Sequence, residues 1–140
     1  RQSLYLFRKR NVRLPMMALF DQPDMMTSCA ARGQTVHALQ ALNLINSDKM
    51  REFGYQLAQR VVREKSTEAG RLDRLFALTF NRPLTPAERK STLSYLHSNS
   101  AFGENNAGVK SPNGIDQKTF RKWADLCLAV LNMNEFIYER

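Results

Sequence analysis

Apolar positions recur at intervals of three and four along most of this chain, the spacing of helices that bury one face. The densest run lies between Cys29 and Asn46. From Val36 to Ile45, the residues Val36, Ala38, Leu39, Ala41, Leu42, Leu44 and Ile45 cover most of a helical circumference. His37, Gln40 and Asn43 fall three apart and make one narrow polar stripe. A helix apolar on nearly every side belongs in the interior of a domain. This segment is therefore expected at the centre of the fold, with Thr35 as its N-cap. The stripe admits two readings. In one, Gln40 and Asn43 bond the backbone of neighbouring irregular segments, because buried amides need partners. In the other, His37, Gln40 and Asn43 line a ligand pocket.

Four more helices follow from the pattern. Ser47 precedes a stripe of Met50, Phe53, Gly54, Leu57, Ala58, Val61 and Val62. Gly54 costs about 1 kcal/mol of helix propensity there, which marks it as the place of a close helix contact. A third helix starts after Ser66 or Thr67, turns Ala69, Leu72, Leu75, Phe76 and Thr79 inward, and is stopped by Asn81 and Pro83. The fourth opens on Thr85-Pro86-Ala87-Glu88. Thr85 is the N-cap, Pro86 takes the first helical position and Glu88 closes a capping box. Its apolar side carries Leu93 and Leu96, and His97 stands where the helix dipole favours a cation. Residues 98–114 are rich in Ser, Asn and Gly and read as a mobile surface loop. The fifth helix opens near Asp116 with Phe120, Trp123, Ala124, Cys127, Val130 and Leu131 inward and Trp123 as anchor. Leu126 and Leu128 widen its apolar surface, so it packs on more than one side. The tail from Asn134 to Tyr138 is too apolar to be a free end.

The first 35 residues differ. Leu4 to Phe7 is a short β-capable run, apolar on both faces. Pro15, Pro23, Asp21 and Asp24 oppose long regular structure. The segment reads as an extended arm pinned by Leu14, Met16, Met17, Leu19 and Phe20. The expected fold class is thus mainly α. About five packed helices span 36–140, preceded by an irregular N-terminal arm over 1–35 with one short strand at most, the whole forming a single domain.

Charge changes the picture more than composition does. The 140 residues are 43% hydrophobic and 24% charged, ordinary for a globular chain, but the net charge is +8. Arg1, Arg8, Lys9, Arg10 and Arg13 crowd the start without an acid among them. Arg60, Arg63, Lys65, Arg71 and Arg74 form a second group, and Lys118, Arg121 and Lys122 a third. Such a surplus suits a polyanion, and Arg8, Lys9, Arg10, Arg13, Arg60 and Arg63 are the candidate contacts for an acidic or sulfated polysaccharide. The competing account is a solvated surface balanced by a more acidic remainder of a longer protein. Nucleic acid ranks below a polysaccharide and below a share in an enzyme site, since no reader helix or aromatic–basic interleaving accompanies the charge.

Cys29 and Cys127 are too few for a zinc site and make no haem-attachment motif. They are either a disulfide or two buried thiols, and the apolar face around Cys127 favours a packed thiol there. No apolar run approaches the roughly 20 residues that span a bilayer. No phosphate loop, metal pattern or nucleophile elbow appears, so no catalytic residue, metal ligand or cofactor is assigned to this chain. The chain opens on Arg1 rather than Met, and is read as a piece of something longer or as a product that has lost a leader.

Several ordered motifs resemble a known family. They are Arg1-Gln2-Ser3-Leu4-Tyr5-Leu6-Phe7 with Lys9-Arg10, Phe20-Asp21-x-Pro23-Asp24, Ser28-Cys29-x-x-Arg32, Gln34-Thr35-Val36 and Leu39-Gln40-Ala41-Leu42-x-Leu44-Ile45-Asn46. Leu78-Thr79-Phe80-Asn81-Arg82-Pro83-Leu84-Thr85-Pro86-x-Glu88 and the ending Leu131 to Tyr138 complete the set. Together they resemble the C-terminal portion of the planctomycete-specific domain family, domain of unknown function 1553. His37-Ala38 and Gln2 depart from its usual residues. The resemblance implies an exported, periplasmic or cell-surface multidomain protein, whose upstream part often carries a cytochrome-c-like domain and hence haem. It implies no reaction and no catalytic residues.

The resulting expectation is a non-catalytic scaffold or interaction domain whose partners are other domains of its parent or another protein. A polysaccharide-binding module is the alternative. A second alternative is part of an enzyme site, with His37, Gln40 and Asn43 facing a pocket shared with upstream residues.

Overall fold

The computed structural model describes residues 7, 14–23, 28, 30, 38–98, 111–112 and 114–137. Among these there are seven helices and no strand: α1 (Pro15–Leu19), α2 (Ala38–Asn46), α3 (Asp48–Glu64), α4 (Glu68–Phe80), α5 (Pro86–His97), α6 (Gln117–Leu131) and α7 (Asn134–Ile137). The fold is mainly α, as the periodicity predicts. The chain divides into two compact units, residues 1–43 and 44–140.

The first unit carries a correction. A helix forms where an extended arm was expected. Pro15 sits in the first turn of α1, where a missing N–H costs nothing, and Phe20 N bonds Met16 O at its end. Most of the expected short strand lies outside the described residues, and Phe7 is 84% exposed. Thr35, Cys29 and His37 also lie outside them.

The larger correction concerns α2. It is helical from Ala38, but it is not the centre of the fold. Leu39, Leu42 and Ile45 are 62%, 55% and 47% exposed. The residues of α2 that are buried are Gln40 and Leu44. An apolar periodicity states how much surface a helix could bury and leaves open what covers it. Here the polar member of the run is inside because Leu19 O accepts a 3.0 Å bond from Gln40 Nε2.

The core belongs to the second unit, built from α3, α4, α5 and α6. Trp123, Phe76, Phe120, Leu72, Leu75, Val61 and Cys127 are fully buried. The pair α3–α6 makes the most extensive contact, and Gly54 is the reason. A Cβ on it would stand 3.2 Å from Ala124 O and 3.2 Å from Leu128 Cβ. The close contact expected of this glycine is there. Tyr55 follows inward, its ring centroid 6.1 Å from that of Phe120, while Phe53 turns out and is 45% exposed under Lys49. The expected stripe placed Phe53 inside and omitted Tyr55.

The helix ends form where the pattern puts them, and the capping box at Thr85 forms as read. Thr67 accepts from Gly70 N, and Asn81 ends α4 in the left-handed region at φ 52°. Thr85 Oγ1 accepts from Glu88 N at 3.3 Å and Glu88 Oε2 accepts from Thr85 N at 2.8 Å, completing the capping box. Asp116 accepts from Lys118 N and Thr119 N. Ser47 is the N-cap of α3, without a side-chain bond. His97 Nε2 lies 3.1 Å from Glu68 Oε2, so an inter-helix partner accompanies the expected dipole contact. Most of the loop expected over 98–114 lies outside the described residues.

Two charged groups fasten the helices. Lys122 was expected in a basic surface cluster. It is instead buried, donating to Leu96 O at 2.8 Å and to Ser98 O at the C-terminal end of α5. Arg82 donates to Glu88 at 2.7 Å and to Glu135 at 2.6 Å, and its guanidinium lies 5.3 Å from the Phe80 ring centroid. This ties α7 to the start of α5, although no residue of α7 is buried and Phe136 is 42% exposed; Tyr138 lies outside the described residues. The Arg82 guanidinium keeps the Glu88 carboxyl at about 2, far below its usual value.

Substitutions separate the observed centre from the expected one. Leu75→Ala should cost about 2–5 kcal/mol in chemical unfolding, whereas Leu42→Ala should stay within about 0.5 kcal/mol. Gly54→Ala should lower stability. Overpacking against backbone costs about 1–3 kcal/mol, and the gain of about 1 kcal/mol in helix propensity offsets only part of it.

Candidate functional site

Helix α6 is apolar over more of its surface than the core requires. Phe120, Trp123, Ala124, Cys127, Val130 and Leu131 face inward and are buried. On the adjoining flank, Asp125, Leu126, Leu128 and Ala129 join Tyr95 of α5 and Ile45 at the end of α2. Together these residues line a groove of about 380 Å³, all of it within the second unit. That is the size of a small ligand pocket.

The lining is aliphatic apart from one carboxyl and one phenol. Burial raises the Asp125 carboxyl to about 6, and the charges of Arg51 and Arg121 only partly oppose the rise. Neither arginine hydrogen-bonds it. The Tyr95 hydroxyl is buried with no hydrogen-bond partner among the described residues. Its pKa is raised first by burial and then by the Asp125 charge. An unbonded phenol and a carboxyl half withdrawn from water are costly groups to leave beside apolar side chains. With the Tyr95 hydroxyl shut off from solvent, the groove offers charge recognition through Asp125. It contains no nucleophile held by a base, and no three potential metal ligands stand together among the described residues.

The residues singled out from sequence lie elsewhere. Gln40 is buried and bonded to Leu19 O, Asn43 is exposed, and His37 is outside the described residues. Arg60 is exposed and donates to Glu64 at 2.8 Å, and the same carboxylate accepts from Arg74. Arg63 is exposed, while Arg8, Lys9, Arg10 and Arg13 lie outside the described residues. Cys127 is a free buried thiol, its pKa pushed up by burial, and packs as expected. Sequence reading passed over Asp125 and Tyr95. The one available signal was an acid inside a run, Trp123 to Leu131, that is otherwise apolar.

A family model described as PSD1, "Protein of unknown function (DUF1553)", matches residues 1–96. The chain belongs to this family, as the ordered motifs indicated. The ending from Leu131 to Tyr138 lies beyond the matched span. No curated protein and no solved structure matches the chain.

The site sets a pH dependence. Because Asp125 titrates higher in the folded chain than its ordinary 3.8, its favourable share of stability is complete below about pH 4 and is lost as pH rises through about 6. Asp125→Asn should therefore gain melting temperature relative to the parent across that window and hold the gain above it. Glu88 acts oppositely: its contribution is present above about 4.5 and disappears as pH falls toward about 2.

Proposed function

We propose that this chain is a non-catalytic helical interaction domain, a scaffold piece of an exported multidomain protein, that holds an apolar segment in the α6 groove. The observation that carries this reading is the groove itself, aliphatic but for Asp125 and Tyr95 and bordered by the half-exposed Ile45. Unsheathed apolar surface beside a packed core is the usual mark of an interface. The exported setting rests on the family resemblance alone.

A polysaccharide-binding module ranks second. Its support is the +8 charge and the exposed Arg63. Against it, Arg60 and Arg74 share Glu64, and Lys122 is buried in the α5 end.

Titration with n-hexanol, a surrogate for an aliphatic side chain, tests the first reading. Amide resonances of Leu126, Leu128 and Ala129 should shift saturably, and Ala129→Arg, at an exposed helical position, should abolish the shifts without unfolding the chain. Absence of saturable shifts removes the reading. For the second, retention on heparin resin should fall with salt and with neutralisation of Arg8, Lys9 and Arg10. Retention indifferent to both rules polysaccharide out.

A further inference from the structure

We propose that the occupant of the α6 groove is a polypeptide segment presenting a lysine or arginine among aliphatic residues, its cation seated on the Asp125 carboxylate. The inference rests on the groove reading above and names the partner's chemistry.

Three observations converge. First, Asp125 lines the groove and accepts no hydrogen bond from any described residue, although its surroundings are apolar enough to raise its pKa. A carboxylate half withdrawn from water gains most from a charge-assisted hydrogen bond, and an incoming ammonium or guanidinium supplies one. Second, none of the described residues around it bonds it. Arg121 on α6 and Arg51 on α3 act on it through space without bonding it, Tyr95 of α5 brings a neutral phenol, and Ile45 of α2 brings only hydrocarbon. None of these described residues bonds the carboxylate, which is left open to a donor carried by a partner. Third, the rest of the lining is Ile45, Leu126, Leu128 and Ala129. That surface suits the methylene stem of a lysine or arginine, which lies along apolar surface while its head finds a polar partner. Flanking aliphatic residues of the same segment would cover the exposed Ile45. The space of about 380 Å³ accommodates such a side chain and its neighbours.

The test compares two leucine- and alanine-rich peptides that differ at one position, lysine in one and norleucine in the other, with hexylamine as a third probe. Binding is read from the amides of Leu126, Leu128 and Ala129 in the full chain. The lysine peptide should bind about tenfold tighter than its norleucine twin above about pH 7, the lower range for a hydrogen bond to a charged group. The advantage should disappear below about pH 5, as the carboxyl takes up its proton. It should also disappear in Asp125→Asn, whose fold is checked by circular dichroism. Equal or better binding of the norleucine peptide overturns the charge pairing and leaves the groove reading standing. Binding of hexylamine but of neither peptide overturns the polypeptide occupant. No perturbation of the groove by any probe removes both readings together.

Discussion

The α3–α6 contact is the constraint on which the described fold depends. At Gly54 two helices approach until a single methyl group would press on the Ala124 carbonyl and on Leu128. A close crossing of this kind draws the flanking side chains of both helices together, so Ala58 and Val61 of α3 and Trp123 and Cys127 of α6 become nearly inaccessible to water. The same contact shapes the groove. Leu128 meets the Gly54 site and also lines the cavity, so its position is set by packing on one side and available on the other. The groove is then the flank of a rigid element, which is where a recognition surface gains from preorganisation.

Charge serves packing in this molecule more than its excess of cations suggests. Lys122 bonds carbonyls at the end of α5, Arg82 joins α7 to the start of α5 beside the rings of Phe76 and Phe80, and Glu64 holds two arginines at once. Each draws a cation from the surface balance that a polyanion would use. Asp125 stands apart. Its nearby arginines do not bond it, and its burial works against its charge. The paired ionic groups fasten the fold, and Asp125 is the one on which the proposed partner would rest.

The family match and the groove overlap in an informative way. Ile45 and Tyr95 lie inside the matched residues 1–96, whereas Asp125, Leu126, Leu128 and Ala129 lie beyond them on α6. The cavity is therefore assembled from distant parts of the chain, and no local motif announces it. That is why reading motif by motif found the family and missed the site. The polar stripe His37, Gln40 and Asn43 drew attention because its spacing is visible within one turn, yet Gln40 is taken up by Leu19 O and Asn43 is exposed.

By itself the sequence determined what depends on neighbours within a few residues: the helices from α2 to α6, the capping box at Thr85, the stop at Asn81, and the need for a close approach at Gly54. These are short-range matters of propensity and of hydrogen bonds between near residues, and they are legible wherever the residues stand. Tertiary structure alone decided that the apolar face of α2 would stay uncovered. Two apolar helices, α2 and α6, compete on nearly equal terms in the sequence, and α6 became the centre because α3, α4 and α5 close around it while Leu39 and Leu42 remain in water. Burial is a property of pairs of surfaces. Periodicity supplies one surface, and only the fold supplies the other.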